Sequence, residues 1–296
     1  MCATCGCSDL NGAFITNLQT GGHVHLDDEE HGHSHAHRHD HDHAHTHSHH
    51  DSGHSRSHEH ASNANGSMKS RTVKVEQDIL AANDRLAERN RGWFEGRGIL
   101  ALNLMSSPGS GKTTLLERTI RELRNEFSIH VIEGDQATSR DGERVRAAGA
   151  NAVQVNTGSA CHLDAHMISH AVEELNPPSG SLLFIENVGN LVCPALFDLG
   201  ECACVVIASV TEGEDKPLKY PHMFRAADLV LLNKTDLLPH VEFSTSVFAA
   251  NLRQINPRAK LIEVSAARGE LKDWHSWIRK QTKEQRSDEH SQPKEH

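Results

Sequence analysis

The stretch ILALNLMSSPGSGKTTLLERTIRELRNEF, Ile99 to Phe127, passes from an unbroken apolar run, through a loop of small residues, into a helical pattern. The run Ile99–Met105 does not alternate, which suits a strand covered on both faces of a parallel sheet. Ser106–Thr113, SSPGSGKT, follows the phosphate-loop pattern G-x-x-x-x-G-K-S/T except that Ser106 stands at the first glycine. Gly109, Ser110 and Gly111 let backbone N–H groups converge on phosphate oxygens at the positive end of the next helix. Lys112 is expected to reach the β- and γ-phosphates and the Thr113 hydroxyl to ligate Mg²⁺, with Thr114 completing the nucleotide-binding loop.

The same strand-then-helix unit recurs on either side. IHVIEGD (129–135), NAVQVNT (151–157), SLLFIEN (181–187), ACVVIASV (203–210), DLVLLNKTD (228–236) and KLIEV (260–264) read as strands. Between and after them, 139–149, 163–175, 218–227, 243–256 and 270–281 read as helices, the third despite Pro221. Upstream, VKVEQDILAANDRLAERNR (73–91) is helical, with Val75, Ile79, Ala82 and Leu86 on one apolar face. Alternation at this spacing predicts an α/β, doubly wound, mostly parallel sheet. The domain is expected over 69–281. Residues 1–68 read as a disordered metal-binding region, because its histidine-dominated tract (23–60) has no apolar set to offset chain entropy. The polar tail 282–296 is expected to fray.

The 296 residues carry a formal charge of -10, with no Lys/Arg-rich run, which argues against a nucleic-acid partner. No stretch approaches the length of a membrane span, and the N-terminus shows no secretory pattern. Seven cysteines, an odd number, fit free thiols in a reducing compartment, so a cytoplasmic protein is expected. Cys202 and Cys204, in ECACVVIASV, read as small buried hydrophobes.

Asn233–Asp236, NKTD, ends a strand and resembles the guanine-reading motif of the GTPases. That resemblance implies that Asp236 accepts hydrogen bonds from the base, that Lys234 packs over it, and that Ser265 and Ala266 form the loop at the guanine carbonyl. No D-x-x-G follows the central strand; ENVGN stands there, putting Glu186 in the acidic slot. Asp135 and Glu186 are therefore expected in the Mg²⁺ shell beside Thr113, with the alternative that each carboxylate caps a helix or pairs with a base. Lys112, Thr113, Asp135 and Glu186 are the candidate catalytic set. No general base or arginine finger can be named, so slow hydrolysis is expected.

Cys161–His162 and Cys193 lie in loops directly after strands, where an open α/β sheet gathers its loops along one edge. Cys2, Cys5 and Cys7 form C-x-x-C-x-C before the first helix. Thiolates suit Zn²⁺, Cu(I) and Ni²⁺; three thiolates and a terminal amine would make a square plane suited to Ni²⁺, whereas Zn²⁺ wants a tetrahedron. The histidine tract reads as a nickel store or as a nonspecific divalent-metal binder.

Taken together, C-x-x-C-G-C, the histidine tract, SSPGSGKTTLL, EGDQAT, GSACHLDA, ENVGNLVCP and NKTDLLP resemble one family over the whole chain. It is the nickel-incorporating GTPase of nickel–iron hydrogenase maturation, a P-loop GTPase of the SIMIBI class. The resemblance implies a domain that dimerises with GTP, nickel at Cys2, Cys5 and Cys7, and a second Ni/Zn site at Cys161, His162 and Cys193 on the dimer interface. It implies GTP-driven delivery of nickel to the hydrogenase large-subunit precursor, with a small nickel/zinc metallochaperone as partner. A nickel/zinc storage protein and the related urease-maturation GTPase are the alternatives. The latter carries Cys-Pro-His, whereas here His162 directly follows Cys161. A metabolic kinase is disfavoured by NKTD.

Overall fold

A computed structural model of the chain describes residues 13–26, 64–135, 140–158 and 160–291. Cys2, Cys5, Cys7 and the histidine tract beyond His25 lie outside the described residues. The first half runs β1 (Phe14–Asn17), β2 (His23–His25), α1 (Ala64–Glu95), β3 (Leu100–Ser106), α2 (Lys112–Leu123), β4 (Ile129–Asp135), α3 (Arg140–Ala148) and β5 (Asn151–Asn156). The second runs α4 (Ala165–Leu175), β6 (Leu182–Glu186), β7 (Ala203–Ser209), α5 (Lys216–Lys219), α6 (Pro221–Ala226), β8 (Leu229–Asn233), α7 (Thr245–Ile255), β9 (Lys260–Glu263) and α8 (Lys272–Ser291). The sheet order is β2-β1-β5-β4-β6-β3-β7-β8-β9. Every pair from β5 to β9 is parallel, and β1 pairs antiparallel with both β5 and β2.

The doubly wound expectation holds, and β3 shows why its sequence does not alternate. Leu100, Leu102 and Leu104 join a core with Leu115 and Leu116 of α2 and Trp274 of α8. Ile99 and Ala101 join the opposite core with Phe94 of α1 and Ile168 of α4. Both faces of the strand are thus buried, as in parallel sheets generally. Asn103, buried mid-strand, is satisfied by Glu201 Oε1 at 2.9 Å and by the Asn187 side chain at 3.3 Å.

Five expectations are corrected. Residues 1–68 are not wholly disordered: Phe14–Asn17 adds an edge strand to β5, burying Ala13, Ile15 and Leu26. The apolar face named on α1 is not the packed one. Ile79 and Ala82 are exposed and Leu86 is half-buried, while Asn83, Ala87, Asn90 and Phe94 face inward. The two asparagines reach backbone groups: Asn90 donates to Ala165 O and Leu199 O, and Asn83 donates to Asp198 O and accepts from Ala165 N. The tail does not fray at residue 282, since α8 continues to Ser291 with Thr282 buried and Gln285 donating to Ile99 O. Cys202 is exposed rather than buried, while Cys204 is half-buried and its thiol donates to Glu201 Oε1. The helix expected over 218–227 also breaks at Tyr220, because the residue before a proline is driven out of the α region.

Candidate nucleotide and metal site

β3 delivers the phosphate loop and α2 receives it. Gly111 caps α2 in the left-handed region (φ 96°), and a Cβ there would stand 2.6 Å from Asn233 Nδ2. The loop walls a cavity of about 550 Å³, closed by residues of β4, α3 and β6. Lys112 Nζ rests on the carbonyl oxygen of Asn187 and lies 3.8 Å from Glu186 Oε1. The Thr113 hydroxyl donates to Glu186 Oε1 at 2.8 Å. Thr114 is exposed at the rim, within 3.3 Å of Arg144. The Ser107 hydroxyl, at the start of the loop, donates to Glu212, and Lys216 Nζ donates to the same hydroxyl at 3.3 Å.

Strands β4 and β6 are adjacent, and their register sets Glu133 beside Glu186. Both carboxyls are buried, and one oxygen of each, Oε2, has no hydrogen-bond partner. Burial, then the charges of Glu186 and Asp135, push the Glu133 carboxyl up to about 9, against the pull of Lys112. Burial also raises Glu186, opposed by Lys112 and the Thr113 hydrogen bond. Asp135 lines the same cavity from the end of β4. Orphaned carboxylate oxygens beside a hydroxyl suit a hard divalent cation, which restores the charged form of its ligands. In the sequence, the one signal for Glu133 is an acid inside the apolar run IHVIEGD.

At the end of β8, Asn233 joins three motifs. Its Nδ2 donates to Ser110 O at 3.0 Å, and its Oδ1 accepts from Ala266 N at 3.1 Å. Lys234, in the left-handed region, donates to Gly109 O at 2.7 Å. Ser265 donates to Asp236 Oδ1 at 2.6 Å, holding that carboxylate. The phosphate loop, Asn233–Asp236 and Ser265–Ala266 therefore form one connected surface.

Cys161 and His162 follow β5, and Cys193 opens a short helical turn after β6. Their ligating atoms lie within 4.8 Å of one another. His162 stacks on Phe197 with ring centroids 3.9 Å apart, and burial lowers its pKa, keeping the imidazole neutral and able to bind metal. Two sulfurs and one imidazole suit a borderline cation such as Zn²⁺ or Ni²⁺ and leave a coordination position open. Asn187 links this cluster to the nucleotide side. Its backbone carbonyl meets Lys112, while its side-chain oxygen accepts from the amide of Leu163, next to His162, at 3.2 Å.

Residues 100–263 match the CobW/HypB/UreG nucleotide-binding domain. A hydrogenase maturation factor HypB from Rhizobium leguminosarum bv. viciae is 59% identical over 214 residues, 72% of each chain. The chain belongs to the HypB family of hydrogenase maturation factors. Among solved structures, HypB from Archaeoglobus fulgidus superposes with TM-score 0.64 at 46% identity, covering 69% of this chain and all of that one. HypB from Helicobacter pylori in complex with nickel gives TM-score 0.64 at 37% identity, covering 73% and 99%. Within this HypB-family P-loop domain, α3 brings an arginine to the cavity that the sequence did not single out. Arg144 is paired with Glu117 at 2.9 Å and Asp141 at 3.2 Å. Among the described residues no helix is long and apolar enough to cross a membrane.

Proposed function

We propose that the chain is a GTPase metallochaperone that hydrolyses GTP to deliver nickel to the hydrogenase large-subunit precursor. The observation that carries this reading is Asn187, which touches the nucleotide lysine through its carbonyl and the Cys161–His162 loop through its side chain. Asp236, held by Ser265, reads the guanine, and Lys234 covers it. Thr113, Glu186 and Asp135 hold Mg²⁺, which neutralises phosphate charge, and Glu133 lies directly behind them. Lys112 leaves the Asn187 carbonyl for the γ-phosphate when GTP binds. That movement releases one anchor of the segment from Glu186 to Cys193, so the spacing of Cys161, His162 and Cys193 responds to the nucleotide. Hydrolysis is slow in the isolated chain, since Arg144 is engaged by two carboxylates.

Nickel is the cargo, loaded at Cys2, Cys5 and Cys7, with the cluster of Cys161, His162 and Cys193 taking Ni²⁺ or Zn²⁺. A second subunit, bound in the GTP state, completes that three-ligand set. A small nickel/zinc metallochaperone is the partner in transfer, in the cytoplasm. The test is removal of the gene followed by hydrogenase assay with and without added nickel. Restored activity at high nickel supports delivery, and activity that stays absent at every nickel level refutes it. In the full chain, protection of Cys161 and Cys193 from alkylation by Ni²⁺ or Zn²⁺ should differ between GDP and a non-hydrolysable GTP analogue. Equal protection refutes the coupling.

A further inference from the structure

The antiparallel pairing of β1 with β5 decides where the N-terminus enters the domain. Phe14, the first residue of β1, faces Asn156, the last of β5. The chain therefore joins the sheet at the C-terminal ends of its parallel strands, where the loop of Cys161 and His162 begins. A parallel β1 would have entered at the other end of β5, roughly 17 Å away. Several contacts hold the hairpin there. Ala13, Ile15 and Leu26 belong to the same buried cluster as Ala160 and Leu163, which bracket Cys161 and His162. Leu26 N donates to Ala13 O at 3.1 Å, so the chain enters and leaves the hairpin at one point. Asn17 Nδ2 donates to Glu174 Oε1 of α4 at 2.7 Å. Leu18 covers Gly142 of α3, where a Cβ would stand 2.6 Å from Leu18 Cδ1.

The backbone bounds the distance from this entry point to the metal cluster. Ladder partners in an antiparallel pair lie about 4.5–5.5 Å apart. The turn after β5 is closed by Ala160 N on Thr157 O at 2.9 Å and by the Thr157 hydroxyl on Ala160 O at 2.7 Å. Its two ends are therefore within about 7 Å, which puts the Cα of Cys161 no more than about 20 Å from that of Phe14. Seven residues of chain lead from Cys7 to Phe14. Extended, they span up to about 25 Å, so Cys7 reaches the cluster in the least favourable case.

We propose that a thiolate of the N-terminal motif of the same chain, with Cys7 the nearest, fills the open coordination position at Cys161, His162 and Cys193. This rests on the reading of both sets as sites for Ni²⁺ or Zn²⁺. A short tether makes the encounter intramolecular, with an effective concentration on the order of millimolar. A third thiolate suits a borderline ion already held by two sulfurs and an imidazole. The ion then crosses between the sets by ligand exchange, each new bond to Cys161 or Cys193 sulfur replacing one to an N-terminal sulfur. The receiving thiol gives its proton to solvent, the departing thiolate takes one up, and the ion keeps its charge. A second subunit that closes on the cluster with GTP displaces the N-terminal thiolate and drives the exchange toward the cluster.

The test uses the full chain with GDP, carrying Cys2→Ser and Cys5→Ser so that Cys7 is the one N-terminal thiol left. Co²⁺ is the probe, because its sulfur charge-transfer band counts bound thiolates and the histidine tract adds nothing to it. At saturating Co²⁺ the band per chain should be the same over a tenfold range of protein concentration. Adding Cys7→Ser should remove about one third of it, two thiolates remaining of three. Ile15→Asp, which unseats β1 from β5, should give the same loss, with circular dichroism reading the fold. Mixing chains that lack Cys7 with chains that lack Cys161 and Cys193 should not restore the missing third. A band indifferent to Cys7→Ser overturns the proposal alone, since the cluster then binds without the N-terminal thiolate. Restoration on mixing also overturns it, because the third sulfur then comes from another chain. A band that survives Cys161→Ala with Cys193→Ala overturns the reading of the cluster itself.

Discussion

Replacing Asn187 by alanine should separate the two halves of the site. The side chain is fully buried. Its Oδ1 accepts from Leu163 N at 3.2 Å and from Val188 N at 3.0 Å, and its Nδ2 donates to Asn103 Oδ1 at 3.3 Å. Alanine leaves those two amides and that carbonyl oxygen without their Asn187 partner. A buried polar group left unpaired costs about 1–3 kcal/mol. Asn103 keeps its bond to Glu201, and some relaxation is expected, so the low end applies: about 3 kcal/mol in all. In a domain of this size each kcal/mol lowers the melting temperature by about 2–4 °C, for a total of about 6–12 °C. Asn187→Asp retains the acceptor for both amides but adds a negative charge beside Glu186, so it should preserve the loop and weaken the nucleotide side. Thermal unfolding by circular dichroism measures the first effect. Alkylation of Cys161 and Cys193 under metal, with GDP and with a GTP analogue, measures the coupling. If Asn187→Ala melts within about 2 °C of wild type, a shift below 1 kcal/mol, and keeps a nucleotide-dependent protection pattern, the linkage argument fails.

Glu133 gives a pH signature. Its folded-state value, about 9, is raised above the ordinary 4.5, so between these limits the native state keeps a proton that the unfolded chain has lost. Stability without Mg²⁺ should therefore fall as pH rises from about 5 to about 9, at up to about 1.4 kcal/mol per unit. Urea midpoints across that range should flatten in Glu133→Gln, and an unchanged slope would remove Glu133 as the source. Asp236→Asn should shift preference from GTP toward XTP by on the order of 1–3 kcal/mol, read by competitive nucleotide binding; undiminished GTP affinity would refute the guanine assignment. Gly111→Ala should lower nucleotide affinity at least about tenfold while the chain still folds. The left-handed backbone alone costs about 1–2 kcal/mol, and the new Cβ would displace Asn233. Fluorescent-nucleotide titration beside circular dichroism checks it. Lys112→Ala should abolish GTP hydrolysis and leave nickel bound at Cys2, Cys5 and Cys7, which equilibrium dialysis would measure.

The local chemistry of Ile99–Phe127 was legible by itself, because a buried parallel strand, a glycine loop and an amphipathic helix each leave a periodic mark on contiguous residues. NKTD and Cys161–His162 were legible for the same reason: their residues adjoin in the chain. What the sequence could not show was anything that depends on a neighbour brought in from far away. Glu133 looked like one acid in a strand until the register of β4 and β6 set Glu186 beside it. Asn187 looked like a loop residue until its two ends met Lys112 and Leu163. The apolar stripe Val75–Leu86 satisfied helical periodicity, yet packing chose the face with Asn83 and Asn90, because buried carbonyls and an amide of distant segments find their partners there. Phe14–Asn17 is too short to declare a strand and becomes one only because β5 offers an open edge. Periodicity is a property of the chain and survives in the sequence, whereas pairing of distant polar groups is a property of the fold, and only the tertiary structure decided it.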